Sequence, residues 1–257
     1  MSKSHKDYVA DLFGLENKRG IVTGASSGLG QAIANMLANA GAVVYALSRT
    51  GSFKDSRPNH SENIIHKKID ITDTAAAKEA VTEIGAEGLD FLINNAGMTE
   101  RGLTAEFDQN KWDEIQSLNV KAVFELSRLA YPYLKNSKEA GRIVNIASMA
   151  AHLGFSEVVP YCVSKSAIAG LTRGLSVEWA NDNILVNSVS PGWFPSDMLQ
   201  QVMDDERKEK ILQRMPLHRF GEPDELAAMV CFLVSPAAAY ITGQDFAVDG
   251  GALAFGF

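Results

Sequence analysis

Apolar and polar positions follow two rhythms along this chain. Short apolar runs at 20–23, 42–47, 64–71, 89–93, 142–147, 184–189 and 245–248 read as strands. Between them the apolar residues recur at helical spacing. Ile33, Met36, Leu37 and Ala40 share one face, and Gly41 closes that helix as its C-terminal cap. An Ala-rich helix at 74–84 follows Thr72 or Asp73 as N-cap. A long helix at 111–134 carries Trp112, Ile115, Leu118, Val123, Leu126 and Leu129; another starts at Tyr161 and runs to 180; a last one spans 224–234, after a break at 216–222. Strands and helices that alternate with short connections predict one α/β domain, a doubly wound parallel sheet of about seven strands covered on both faces. Leu12, Phe13 and Leu15 look like an apolar anchor for a polar leader, 1–14, and the polar stretch 51–62 with Pro58 reads as a loop. No internal repeat, low-complexity segment or linker interrupts the pattern.

Composition narrows the function classes. The 257 residues are 46% hydrophobic and 21% charged, which is ordinary usage and enough for a large core. A net charge of -7 argues against a dedicated nucleic-acid binder, which would show a basic face. No apolar run reaches membrane-spanning length, and 1–6 is polar and basic without the apolar core of a secretion signal. Cys162 and Cys231 form neither a disulfide framework nor a metal spacing, so a reducing, cytoplasmic location without a metal centre is expected. Cys162 reads as a small buried filler.

The candidate chemistry sits where predicted strands end. The first strand runs into Gly24-Ala25-Ser26-Ser27-Gly28-Leu29-Gly30, ahead of a helix. Glycines there permit a tight turn and let the backbone approach a pyrophosphate at the helix N-terminus. The second strand ends in Ser48-Arg49. A free ribose 2′-hydroxyl calls for an acidic residue about 20 positions past the last glycine, and none is present. A hydroxyl followed by a fork-shaped guanidinium suits a 2′-phosphate, so NADP is expected ahead of NAD. Asn94-Asn95-Ala96-Gly97, at another strand's carboxyl end, suits the ligand crevice of such a sheet. Asn119 is a poor residue for the middle of a helix, which points to a local backbone distortion or a held water. Tyr161 and Lys165, four apart on one helix face, place an ammonium beside a phenol. The cation is expected to lower the phenol pKa from about 10 toward the range of proton transfer.

Thr23-Gly24-x-x-x-Gly28-x-Gly30, Asn94-Asn95-Ala96-Gly97, Asn119, Ser148, Tyr161-x-x-x-Lys165 and Pro191-Gly192 resemble, in order and spacing, the short-chain dehydrogenase/reductase family. The likeness runs from about residue 15 to the C-terminus, and Ile241-Thr242-Gly243-Gln244 with Val248-Asp249-Gly250-Gly251 resembles the family's last strand. The resemblance implies a single Rossmann-type NAD(P)-binding domain over 1–257 in which Tyr161 is the acid/base, Ser148 orients the substrate oxygen, Lys165 binds the nicotinamide ribose and Asn119 holds a water. It also implies cofactor contacts from Gly24, Ser26, Ser27, Gly28, Leu29 and Gly30, from Ser48 and Arg49, and from Asp70 and Ile71 at adenine. Further contacts are implied from Asn95, Ala96, Gly97, Tyr161 and Lys165, and from Pro191, Gly192, Trp193 and Ser196, where Ser196 stands in place of the family's usual Thr. The segment 193–220 would be the substrate lid.

Arg101, Glu106-Phe107, Trp112, Glu178-Trp179-Ala180 and Leu12-Phe13-x-Leu15 resemble the branch that oxidises sugar acids, such as gluconate 5-dehydrogenase and 2-dehydro-3-deoxygluconate 5-dehydrogenase. That branch often has a second Arg where this chain has Glu100. The implied substrate contacts are Arg101, Met149 and Trp193, with Arg101 suited to a carboxylate. The reaction expected is interconversion of a secondary alcohol and a ketone on a sugar acid, polyol or similar small hydroxy compound, by a homotetramer. The alternatives are a 3-oxoacyl-[acyl-carrier-protein] reductase and, from another class, a non-catalytic dinucleotide-binding regulator.

Overall fold

A computed structural model describes residues 5–54, 61–195 and 204–255. Seven strands form one sheet: β1 (Arg19–Thr23), β2 (Val43–Ser48), β3 (Ile64–Lys68), β4 (Phe91–Asn94), β5 (Gly141–Ile146), β6 (Ile184–Pro191) and β7 (Asp245–Val248). Every pairing is parallel, in the order β3-β2-β1-β4-β5-β6-β7. The order reverses between β1 and β4, so the loops leaving the carboxyl ends of these strands diverge and open a crevice there.

The helices are α1 (His5–Phe13), α2 (Gly28–Asn39), α3 (Thr74–Ala86), α4 (Gln109–Gln116), α5 (Ala122–Leu134), α6 (Val159–Glu178), α7 (Asp205–Arg214) and α8 (Pro223–Val234). Successive strand residues point to opposite faces, and this alternation builds two cores. Val22, Phe91, Ile93, Val144 and Val189 pack against Ile33 and Leu37 of α2 and Leu226, Val230 and Leu233 of α8. Ile21, Leu92, Ile143 and Val186 face the other way, onto Val81 and Ile84 of α3, Leu126 and Leu134 of α5 and Leu175 of α6.

Four expectations need correcting. The segment 1–14 is not simply a polar leader, because 5–13 forms α1, whose Phe13 ring lies 6.4 Å from Phe232 of α8. Strand β3 stops at Lys68: the Asp70 carboxylate accepts hydrogen bonds from the Thr72 amide (2.9 Å) and hydroxyl (2.7 Å) and turns the chain. The single helix at 111–134 is split between α4 and α5 by a π-helical turn, Ser117–Lys121. A helix, α7, occupies part of the segment 193–220 that was expected as a substrate lid with no helix of its own. Of the two N-cap candidates for α3, Asp73 fills the place, accepting from Ala75 N and Ala76 N. Gly41 closes α2 with φ of +107°, a conformation that favours glycine. Pro58 and Ser196 lie outside the described residues.

Candidate active site

The crevice is bordered first by the turn from β1 into α2. Gly24 and Gly28 adopt φ of +64° and +55°. A Cβ on Gly30 would sit 2.3 Å from the Gly24 carbonyl oxygen and 2.4 Å from Asn95 Nδ2, so only glycine lets helix and strand approach this closely. The turn is braced from β4: Thr23 Oγ1 accepts from the amides of Asn95 (3.0 Å) and Ala96 (3.1 Å), while Asn95 Nδ2 donates to the carbonyls of Thr23 (2.9 Å) and Gly24 (3.3 Å). The Asn95 amide is thus engaged with the turn itself. Ser27, the N-cap of α2, makes no side-chain capping bond, so the first amides of α2 are left for a ligand. Ser26, Ser27, Gly28 and Leu29 are partly exposed around them. Positive helix end, uncapped amides and glycine backbone together fit a pyrophosphate.

At the end of β2, Ser48 Oγ accepts from the Gly51 amide at 3.1 Å, and Arg49 is exposed. Asp70 follows β3, its carboxyl held below the usual range first by the Thr72 hydroxyl and amide, with a smaller share from Arg49. Ile71 is buried beside it. These positions lie at the carboxyl ends of adjacent strands, where the adenosine end of a dinucleotide would extend from the glycine turn.

On the other side of the crevice the chemistry is concentrated. Asn119 lies within the π-helical turn, 1% exposed, and the turn swings its amide inward. Its Oδ1 accepts from the Met98 amide at 2.9 Å, and its Nδ2 donates to the Met98 carbonyl at 2.9 Å and to Ser164 Oγ at 3.0 Å. The distortion expected at Asn119 is present. Ser148 sits in extended backbone after β5 and caps the short turn Met149–Ala151, its Oγ accepting from the Ala150 amide at 3.1 Å. Lys165 is 5% exposed; its ammonium donates to the Ile146 carbonyl at 2.7 Å and lies 5.6 Å from the centre of the Tyr161 ring. A Cβ on Gly97 would come within 3.3 Å of Asn119 Oδ1 and 3.6 Å of Lys165 Nζ, so a side chain there would fill the space in front of both groups.

The electrostatics correct one expectation. Burial pushes the Tyr161 phenol up from 10.0, and only the hydrogen bond from Ser148 acts against it. Burial also brings Lys165 down from 10.5 to about 8. The amine is turned toward the Ile146 carbonyl and is itself desolvated, so its field does not yet lower the phenol pKa. Tyr161 in this state is a neutral phenol.

Pro191 ends β6, and the Gly192 amide donates to the Val248 carbonyl at 2.9 Å; a Cβ on Gly192 would lie 2.6 Å from Asp249 Cα. The Trp193 ring meets Phe155 edge-on at 5.9 Å. Met149 is 3% exposed and packs inward beside Ser148. Arg101 is ion-paired: its Nε and Nη2 donate to Glu157 Oε2 at 2.8 and 2.6 Å, and Nη1 lies 3.8 Å from Asp204. Among the described residues there is no group of three or more His, Cys, Asp or Glu that could hold a metal ion.

Several participants escaped the sequence reading. Ser164 lies inside the Tyr-x-x-x-Lys stretch and could have been found as the residue preceding Lys165 on the same helical turn. The backbone carbonyls of Met98 and Ile146 carry no sequence signal. Thr99 is buried next to Met98 with its hydroxyl unpartnered, which only coordinates reveal.

The parallel sheet, the glycine turn at its switch point and the Ser148–Tyr161–Lys165–Asn119 group define a class, oxidoreductases on the dinucleotide-binding fold. Comparison with known proteins narrows it. A family model described as enoyl-(acyl carrier protein) reductase matches residues 24–252. The 2-dehydro-3-deoxy-D-gluconate 5-dehydrogenase of Escherichia coli (strain K12) is 37% identical over 254 residues, covering 96% of this chain and 99% of that protein. A 3-oxoacyl-[acyl-carrier-protein] reductase of Thermotoga maritima is 34% identical over 243 residues, covering 92% and 98%. A solved gluconate 5-dehydrogenase of Burkholderia cenocepacia J2315, in complex with NADP and tartrate, superposes with a TM-score of 0.87 at 28% identity, covering 96% of this chain and 99% of that one. The chain belongs to the short-chain dehydrogenase/reductase family.

Proposed function

We propose that this protein is an NAD(P)-dependent oxidoreductase that interconverts a secondary alcohol and a ketone on a sugar acid, polyol or similar small hydroxy compound. The observation that carries this reading is the convergence of Ser148, Tyr161, Lys165 and Asn119 beside Gly97, at the switch point of the sheet. The glycine turn, the uncapped start of α2 and the open space at Gly97 fit a dinucleotide. When bound, that cofactor supplies or accepts the hydride.

The chain's own groups handle the proton. Ser148 Oγ has one proton to donate: here it goes to the Tyr161 oxygen and favours ionisation of the phenol, and with a ketone bound it turns to the carbonyl oxygen and orients it. Tyr161, held neutral by burial, donates its proton to a carbonyl oxygen in the reducing direction, and in the oxidising direction it acts as the phenolate and takes the hydroxyl's proton. Lys165, when protonated, places positive charge behind Tyr161 and stabilises the phenolate that remains. Asn119 keeps the Met98 turn and Ser164 in register, so that Lys165 projects from α6 beside Gly97.

Ser48 and the exposed Arg49 support NADP ahead of NAD, and the NADP-bound relative supports the same choice. Comparing kcat/KM for the two cofactors tests this, and a strong NAD preference would remove the assignment. A 3-oxoacyl carrier-protein reductase is the second reading, favoured by the Thermotoga maritima relative; turnover of an acetoacetyl thioester separates it. Tyr161→Phe tests the main reading. Hydride transfer should fall by about 10²–10⁴-fold with dinucleotide binding preserved, and survival of activity would remove Tyr161 from the chemistry.

The segment 193–220, described at 193–195 and 204–220, is our candidate for the substrate lid because it follows the end of β6 in the chain. A homotetramer is supported by exposed Val163 and Val177 on α6, with open-faced Gly170 and Gly174 between them and exposed Phe124 on neighbouring α5. Sedimentation at micromolar concentration tests it. Two free cysteines fit a reducing cytoplasm.

A further inference from the structure

From the wall of this site we infer that the substrate is an uncharged polyhydroxy compound rather than a sugar acid or an acidic acyl carrier; the inference rests on the oxidoreductase reading above. Three loops that leave the carboxyl ends of the adjacent strands β4, β5 and β6 meet at one knot of charge. Arg101 comes from the first, Glu157 from the second, four residues before Tyr161, and Asp204 from the third, at the start of α7. Arg101 donates through Nε (2.8 Å) and Nη2 (2.6 Å) to the same Glu157 oxygen, and Nη1 lies 3.8 Å from Asp204 Oδ2.

Glu157 is fixed more firmly than a surface ion pair requires. Its backbone has φ of +65°, a conformation that side chains with a Cβ rarely adopt. The Gly102 amide donates to its carbonyl at 2.9 Å, so backbone and carboxylate are both tied to the loop that carries Arg101. Such strain persists where surrounding contacts determine it, and it clusters at binding sites.

One cation therefore faces two anions. The knot carries a net charge of -1: the Nε/Nη2 edge of the guanidinium is turned to Glu157 and the remaining Nη1 faces Asp204, so neither edge is left clear for a substrate carboxylate. A substrate carboxylate entering here would have to displace one acid and remain beside the other. An uncharged chain of hydroxyls meets no such opposition. The Phe155 and Trp193 rings, from the loops after β5 and β6, offer the apolar surface against which the C–H side of a polyol or sugar ring can pack.

The test uses the full-length protein and matched substrates that differ only at the terminal carbon, a sugar alcohol against the corresponding sugar acid, in several configurations and with both cofactors. The expected result is a kcat/KM ratio of about tenfold or more in favour of the uncharged partner at low salt, narrowing as ionic strength rises. Asp204→Asn and Glu157→Gln should each lower the KM for the acid relative to its uncharged partner, by about 3- to 10-fold, as expected for one charge removed across a few ångströms of hydrated site. Asp204 is 58% exposed, so its variant should fold even if the Glu157 loop does not tolerate change. Preference for the acid in the unaltered protein, or an acid KM that Asp204→Asn leaves in place, overturns the inference while the oxidoreductase reading stands. Absence of turnover with every pair and both cofactors overturns the two together.

Discussion

Replacing Lys165 by Met should change the pH dependence of stability in a direction fixed by its burial. The amine is 5% exposed, and burial lowers its pKa from 10.5 to about 8. In the unfolded chain it titrates near its ordinary value, so below pH 8 both states are protonated and the folded state bears the full cost of a buried charge. That cost is about 3 kcal/mol at pH 7. It shrinks as pH rises through 8 toward 10.5, because the folded state releases its proton first. Met cannot titrate, and every other group is shared by the two proteins. The stability of Lys165→Met relative to the parent should therefore fall by about 2–3 kcal/mol between pH 7 and pH 10. Loss of the 2.7 Å bond to the Ile146 carbonyl shifts the comparison by about 1.5–3 kcal/mol at pH 7, where the amine is charged, and weakens as the proton leaves. The pH-dependent change itself is unaltered, because the folded pKa of about 8 already contains that bond. Guanidinium denaturation of both apoproteins at pH 7, 8.5 and 10 reads the difference directly. A difference independent of pH, or one that grows in favour of Met as pH rises, would refute the assignment of Lys165 as a desolvated amine. Activity should be lost in the variant throughout.

Further outcomes follow from the same coordinates. Asn119→Ala removes three hydrogen bonds of 2.9 to 3.0 Å, one buried and two partly buried, and leaves the Met98 amide unpaired; a loss of about 3 kcal/mol in chemical denaturation is expected, and an unchanged midpoint would contradict the role given to the π-helical turn. Gly30→Ala would set a methyl 2.3 Å from backbone, so dinucleotide binding measured by fluorescence should weaken more than tenfold, whereas Gly154→Ala, with nothing within 4 Å, should bind normally. Because burial raises the Tyr161 pKa, the phenol is protonated at neutral pH; alcohol oxidation should accelerate as pH rises above 7 while ketone reduction does not. Equal pH profiles in both directions would show that another group controls the proton.

Much of the architecture was legible because burial on both faces imposes long apolar runs. β1, β5 and β7 fell within a residue of expectation, since each is a hydrophobic stretch bounded by glycine or polar turns. β3 read too long because Ile69 and Ile71 extend the pattern, whereas the Asp70 turn that stops the strand depends on one carboxylate reaching two donors. α7 was missed because its charged surface leaves little apolar periodicity to see. The site residues were legible as a spacing, but their electrostatics were not. A phenol beside an ammonium in sequence implies a lowered phenol pKa. In the fold, the ammonium is desolvated and turned to a carbonyl, and the sign reverses. The Arg101 ion pairs likewise depend on loops far apart in the chain, which no local pattern connects.

The single surplus residue in the turn at Ser117–Lys121 sets a limit on how this chain can be lengthened or shortened. An α-helix advances about 100° per residue, so deleting one position there would straighten α4 and α5 into a continuous rod and roll Leu126, Ala130 and Leu134 away from α3. Restoring regular geometry would thus unseat half of a core while withdrawing Asn119 from the crevice. An irregularity that looks locally unfavourable fixes the phase of everything that comes after it in the helix.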